Sequence, residues 1–407
     1  MAPSTKTPSA SSTPYFAAYR HLVPLVSKAT YLNASIAPPS NLLVHDAITS
    51  FAHEALHNPT PKPSWLATAE EVRCLLGRYI HTDATNIALT RDTTEGLNNF
   101  IRGLKFKPGD NVVILDTEHP HHAYAWMALR PLGLEVRQVP TIAEAERAGN
   151  VVAANAETFA PFVDDRTIAI GLSSIMFHSG QWNDLQNICD VYRPRGIHVL
   201  ADLTQQVGFA PVDVTKLNVS AASFSLHKGL NTPIGLAAFY VHPDVLADIN
   251  PLPATVGFGS VANSRADVLV PADEIVYHPN ARRHDHLNLS LIAAAAAKAY
   301  LHFDLDVMGP ENVESHLYGL GDALRMGCQK IGVRIVGPED RKSHAPHLYI
   351  LDLHDKSWID LFTERGVLVT PYRLGVRVSF GFYNNLEDVD RLLEVLQEGI
   401  KAGILIE

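Results

Sequence analysis

Short apolar runs alternate with segments of helical periodicity through the middle of this chain. Residues 86–90, 111–116 and 236–241, together with Thr167–Ser173, His198–Asp202 and Ala221–Ser225, are brief, β-rich and bounded by polar or turn-forming positions. Between them, residues 94–104 and 123–132 and Leu185–Tyr192 place apolar side chains at helical spacing. Strands that alternate with helices predict an α/β fold around a mostly parallel, mixed sheet. Ligands of such sheets gather at the carboxyl ends of the strands. That rule puts Thr93, Glu118, His119, Asp202 and Lys228 on one edge, because each lies just past a predicted strand.

The pattern changes further along. Residues 251–280 show little periodicity and carry Pro, Gly, Asn and Ser, which predicts a long connection. A helix is predicted over 289–303. From about residue 310 the pattern predicts a smaller α+β unit, with strands at 333–336, 347–353 and Gly375–Ser379. Its helices fall near 314–332, Ser357–Glu364 and 386–402. Residues 1–14 are rich in Ser, Thr, Pro and Ala and lack an apolar core, so they read as a disordered tail rather than a targeting signal. The expected division is that tail, a segment 15–30 packing on the small domain, a large domain over 31–300 and a small C-terminal domain over 301–407.

Composition narrows the function classes. The chain has 407 residues, 46% of them hydrophobic and 19% charged, as in an ordinary globular protein. Its net charge of −10 disfavours nucleic acid or an anionic membrane as a partner. No apolar run approaches the roughly 18 residues that span a bilayer. The three cysteines, Cys74, Cys189 and Cys328, give neither a disulfide framework nor a zinc pattern, so a reducing, cytoplasmic compartment is expected. His121 and His122 beside His119 invite a metal reading, but none is expected. The two read as exposed loop histidines.

One segment carries specific chemistry. Ala221–Ser225 runs into Leu226, His227, Lys228 and Gly229, while His198–Asp202 ends on an acid. A lysine after one strand and an aspartate ending another are what pyridoxal phosphate chemistry needs. The amine forms a Schiff base with the aldehyde, and the acid keeps the pyridine nitrogen protonated. Alone, Lys228 also reads as a solvated loop residue and Asp202 as the cap of a turn. Thr93 and Thr94 offer hydroxyls and free N–H groups at a helix start, which suits a dianion, though Thr93 also reads as a plain N-cap.

In their order and spacing these motifs resemble the class V aminotransferase family. These are fold type I pyridoxal phosphate enzymes that include isopenicillin N epimerase, cysteine desulfurase and hercynylcysteine sulfoxide lyase. The resemblance runs from about Tyr31 to the C-terminus. It implies pyridoxal 5′-phosphate as cofactor and a small amino acid as substrate. It implies that Thr93 and Thr94, in the run from Thr90 to Asn98, hold the phosphate with Ser225 and His227. His119, in Thr117-Glu118-His119, would stack on the ring. Asp202 would meet the pyridine nitrogen, Gln205 the phenolic oxygen and Lys228 the aldehyde. Arg377 within Gly375–Ser379, followed by Tyr383, Asn384 and Asn385, would clamp the substrate carboxylate, a geometry lysine cannot copy. A surface arginine is the plainer reading. Asn33, near Tyr31, looks like part of the family's substrate segment. Residues 283–288 resemble the segment that reaches the neighbouring subunit's phosphate site in the family's homodimers. Here Leu287 replaces the expected glycine, and Asn288 reads equally as a capped helix start.

The reaction type is narrowed by two features. Residues 329–377 contain no cysteine, and Cys328 lies in a helical pattern, so a protein persulfide is not expected. The His227-Lys228 pair resembles the epimerase and lyase branch. The expected activity is therefore lyase-type chemistry at Cα or Cβ of an L-amino acid. The alternatives are an isopenicillin N-type epimerase, an aminotransferase, and an inactive relative that only binds. Retention of Lys228, Asp202 and Arg377 together argues against the last. A histidine-rich rim (His119, His121, His122, His178, His284, His286) is expected to supply acids and bases.

Overall fold

The computed structural model describes residues 16–249, 256–265 and 274–406, so the expected tail at 1–14 and parts of the 251–280 connection lie outside the described residues. Seven strands form the main sheet: β1 (Ile87–Thr90), β2 (Asn111–Leu115), β3 (Glu135–Val139), β4 (Thr167–Ser173), β5 (His198–Asp202), β6 (Ala221–Ser225) and β7 (Ala237–Val241). Their spatial order is β1-β7-β6-β5-β4-β2-β3. Only β7 runs against its neighbours, which leaves the mostly parallel, mixed sheet that the sequence predicts. Apart from edge strand β3, the strands are almost wholly buried because both faces of the sheet are covered. Val112 and Ile114 face one core cluster with Phe100 and Trp126, while Val113 and Leu115 face the other with Leu172 and Val199.

Several elements were not predicted. β3 is an edge strand with Val136 and Val139 buried and Glu135 and Gln138 exposed, so only half of it carries an apolar signal. Helices Leu42–His57 and Lys62–Tyr79 both pack on Leu291–His302. Ala293, Ala294, Ala296 and Ala297 are fully buried there, and their small side chains let the three helices approach closely. That helix continues as a π-helical stretch, Phe303–Met308.

A second, four-stranded antiparallel sheet comprises β8 (Ile335–Val336), β9 (Leu348–Leu351), β10 (Thr370–Tyr372) and β11 (Gly375–Ser379), in the order β10-β11-β9-β8. Tyr372 pairs with Gly375, so only Arg373 and Leu374 turn the chain between β10 and β11. Helices Pro310–Ile331 and Leu386–Lys401 pack together within the core shared with this sheet. Phe16 stacks on His316 of the first at 4.3 Å, and Arg20 forks onto Asp388 of the second at 2.7 and 2.9 Å. Thr30–Tyr31 pairs in parallel with Val367–Leu368, and Asn33 bridges Ser379.

Candidate active site

The carboxyl ends of β1, β5 and β6 converge on a cavity of about 320 Å³. Thr93, Thr94, His119, Asp202, Gln205, Ser225, His227 and Lys228 all line it, as do Asp92, His121, Ser173, Ile175, Phe177 and Thr204. Arg377, Asn33 and Asn288 do not.

One end of the cavity is a hydroxyl cup. Helix Thr93–Gly103 starts directly after β1, and its N-cap is Asp92, whose carboxylate accepts from Glu95 N at 2.8 Å. The reading of Thr93 as N-cap is thereby corrected. Thr93 is the first helical residue, and its Oγ1 lies 2.7 Å from Ser225 Oγ and 2.8 Å from Thr204 Oγ1. The helix sits flush on β6, because a Cβ on Gly96 would fall 2.2 Å from Ser223 Oγ. Three hydroxyls and a helix start facing one point suit a phosphate. His227 borders the cup. Burial, with help from the Lys228 charge, pushes its pKa down to about 4, so it is neutral there.

The ring-sized middle is set by Asp202 and His119. Asp202 ends β5 and accepts from Thr204 N at 2.9 Å, which fixes its carboxylate. His119 caps helix Pro120–Met127 by accepting from His121 N at 3.2 Å. Its ring stacks on His121 at 4.7 Å and meets Phe177 edge-on at 4.8 Å. Burial lowers its pKa, so it presents a flat neutral ring. Gln205 donates to Ser35 O at 3.1 Å, and its Oε1 lies 3.4 Å from His347 Nε2.

Lys228 follows β6. Burial, aided by the Arg377 charge and opposed by Asp202, brings its pKa down to about 8. A large fraction of the amine is therefore neutral and nucleophilic near pH 8.

Arg377 is not a surface residue. It lies on β11 with 1% of its surface exposed. Nη1 donates to Phe177 O at 2.8 Å, and the guanidinium stands 4.3 Å from the centre of the Tyr372 ring. Nε and Nη2 are buried with no hydrogen-bond partner. Burial pushes its pKa down to about 10, so it remains a cation. Two unsatisfied, parallel N–H donors on a buried cation match a carboxylate. Asn33 stands nearby but is engaged. It accepts from Thr370 Oγ1 at 2.8 Å, and Thr370 lies opposite Arg377 across the hairpin.

Other expectations are corrected. Asn288 is exposed and caps nothing. The helix starts at Leu291 and its N-cap is Ser290. Leu287, where glycine was expected, has φ 78°, the left-handed backbone that glycine favours. His122 and His284 are buried rather than on a rim. His122 lies against Trp126, and the His284 ring meets Phe239 edge-on. His286 is 3.4 Å from Glu95. Cys189 and Cys328 are buried, and burial raises both thiols to about 12, while Cys74 is exposed on helix Lys62–Tyr79. None of the three lines the cavity. Thr204 and Phe177 were missed. Thr204 sits inside the Asp202-to-Gln205 motif, two residues past a strand end, and was open to the same rule. Phe177 carries no local signal.

The aminotransferase class-V family model matches residues 44–392. An uncharacterized aminotransferase of Schizosaccharomyces pombe is 45% identical over 387 residues, covering 94% of this chain and 96% of the relative. A probable cysteine desulfurase of Methanothermobacter thermautotrophicus is 29% identical over 404 residues, covering 93% and 96%. Among solved structures, the apo cysteine desulfurase of Thermococcus onnurineus superposes with a TM-score of 0.82 at 20% identity, over 97% of this chain and 100% of that one. A cystine C–S lyase in complex with cysteine persulfide gives 0.80 at 21% identity, over 92% and 98%. These likenesses show the fold, that of fold type I pyridoxal phosphate enzymes.

Proposed function

The chain belongs to the class V aminotransferase family, and from that premise we propose that it is a pyridoxal 5′-phosphate enzyme performing lyase-type chemistry at Cα or Cβ of an L-amino acid. The observation that carries the reading is the pair of unpartnered donors on buried Arg377, electrostatically coupled to Lys228.

The cavity fits the cofactor by the chemistry of its donors. Thr93, Thr204 and Ser225 with the helix start take the phosphate, Asp202 the ring nitrogen, Gln205 the phenolic oxygen and Lys228 the aldehyde carbon. When bound, pyridoxal phosphate supplies an electron sink for charge that develops at Cα. Asp202 keeps a proton on the ring nitrogen. Arg377 fixes the substrate by its carboxylate, which orients the Cα–H bond. Lys228, in its neutral form, would take the Cα proton of a substrate oriented in this way. His119 covers the ring face and, being neutral, adds no repelling charge. In β-elimination the Cβ leaving group departs with its bonding pair, and water completes release of an oxo acid and ammonia. Epimerisation and transamination share the first proton removal and separate by product.

No protein persulfide is part of the proposal. The two-residue turn between β10 and β11 leaves no loop ahead of Arg377 to carry a cysteine, and the buried Cys328 thiol is held protonated. Turnover by a Cys328→Ala variant tests this. Activity is expected to stay within about twofold of wild type, and its loss would restore the desulfurase mechanism. We further propose a cytoplasmic homodimer in which Asn288 reaches the partner's phosphate cup. This is supported by its exposed position outside its own cavity, on a segment strapped down by the 2.7 Å Arg73–Asp285 ion pair.

A further inference from the structure

A second cavity, of about 750 Å³, opens beside the first at the carboxyl ends of β2 and β3. Its walls are largely apolar, formed by Ile142, Ala145, Val151, Val336 and Leu374. The acids that border it are hydrogen-bonded or exposed. Glu118 accepts from Ser173 N and Oγ at 2.8 and 2.7 Å, and Asp116 accepts from Thr141 N at 3.0 Å. Glu144 and Glu146 are exposed. A single buried polar atom without a partner, Nε2 of His178, belongs to this wall.

Phe177 lines both cavities. Its carbonyl holds Arg377, its ring edge meets His119, and Tyr372, beneath the Arg377 guanidinium, packs on it at 6.0 Å. The carboxylate site, the ring-stacking histidine and the groove therefore share one wall. The first cavity, at about 320 Å³, is less than half the volume of the second. Apart from Ile175 and Phe177 its lining is polar, and most of that lining is committed to phosphate, ring and aldehyde. Arg377 holds the Phe177 carbonyl and Phe177 lines both cavities, so a substrate held at Arg377 with Cα over the ring has the groove past Phe177 beside it. Its volume lies within the roughly 300–1,000 Å³ of small-molecule sites.

We propose that this groove receives the substrate side chain, and that the substrate is an L-amino acid bearing a bulky, predominantly apolar group beyond Cβ. The inference rests on the assignment of Arg377 and Lys228 made above.

The probes are S-benzyl-L-cysteine and S-methyl-L-cysteine, which share every atom up to sulfur. Each is titrated into the holoenzyme by stopped flow, and the amplitude of the cofactor absorbance change gives its dissociation constant. Wild type is expected to bind the benzyl compound about tenfold or more tightly than the methyl compound. Ala145→Trp, which fills the groove from its helical wall, is expected to weaken the benzyl compound by about tenfold or more and leave the methyl compound within about twofold. Ala148→Trp, on the same groove wall, is the second variant should the first not fold. Equal binding of both probes by wild type, or equal loss of both in each folded variant, overturns the groove assignment and leaves the proposed function standing. Absence of any spectral change with either probe, in protein that carries its cofactor, overturns the proposed function and this inference with it.

Discussion

Two arginines of this chain are buried to almost the same degree and are used in opposite ways. Arg73, 3% exposed, gives its N–H groups to Ile87 O, Glu70 and Asp285. Arg377, 1% exposed, leaves Nε and Nη2 without a partner. The first is a structural tie, while the second is a site awaiting an anion. Arg377→Lys keeps the charge and loses the fork, so kcat/KM for amino acids should fall by about 100-fold with the visible spectrum of bound cofactor unchanged. An unchanged kcat/KM would place the carboxylate elsewhere. Lys228 makes a second prediction at this scale. Its free amine titrates near 8 in the cofactor-free protein, so the rate of covalent cofactor attachment should rise as pH passes through about 8 and level off above it. A rate still climbing toward pH 10, as for an exposed lysine, would show that burial does not tune it. Lys228 is legible in the sequence because it follows a strand end, whereas Arg377, in the middle of β11, is legible only through the resemblance of Gly375–Ser379 to the family's signature. Phe177 and Tyr372 are not, because their importance comes from contacts made only when distant segments meet.

Elements differ in how much of themselves they show in sequence. Thr167–Ser173, His198–Asp202 and Ala221–Ser225 are read to the residue because they are buried on both faces and bounded by turn-forming or polar neighbours. β3 escapes notice because its outer positions are polar. Caps mislead where two candidates adjoin. Asp92 outranks Thr93, and Ser290 outranks Asn288, because the side-chain oxygen must face the N–H three residues on. The π-helical stretch Phe303–Met308 carries a feature no pattern reveals. Asp304 within it is fully buried with neither carboxylate oxygen partnered, and burial, with the charge of Glu311, raises its pKa to about 8. The folded state thus holds a proton that the unfolded chain loses near 4. Asp304 therefore withdraws stability as pH climbs from about 4 to about 8 and withdraws no more beyond that. Asp304→Asn removes the titration. Its stability relative to wild type, from urea unfolding, should improve by on the order of 3 kcal/mol between pH 5 and pH 8. A pH-independent difference would mean that a water or a cation neutralises the site.

At the scale of the whole molecule, the segment over 283–288 is held against the main sheet from within one chain. Asp285 accepts from Leu89 N at 3.1 Å as well as from Arg73, and Asn288, three residues on, is exposed and does not line its own cavity. Leu287 holds a backbone conformation unfavourable by about 1 kcal/mol for an L-residue, which a second subunit would justify. Light scattering in dilute buffer should give about twice the monomer mass, and a monomer with full activity would contradict the dimer. The α/β architecture and most of the cavity were legible because strand ends collect chemistry. The neighbouring groove was not, since its walls come from widely separated parts of the chain, around residues 116–120, 141–158, 177–181, 336 and 372–374. The central claim is the reaction itself, and ammonia release measures it most directly. L-amino acids carrying a leaving group at Cβ are incubated with holoenzyme and no added oxo acid. The account predicts one ammonium and one oxo acid for each substrate consumed, sustained over many turnovers. Turnover that begins only when an oxo acid acceptor is added, with the amino group recovered in a new amino acid, would contradict it.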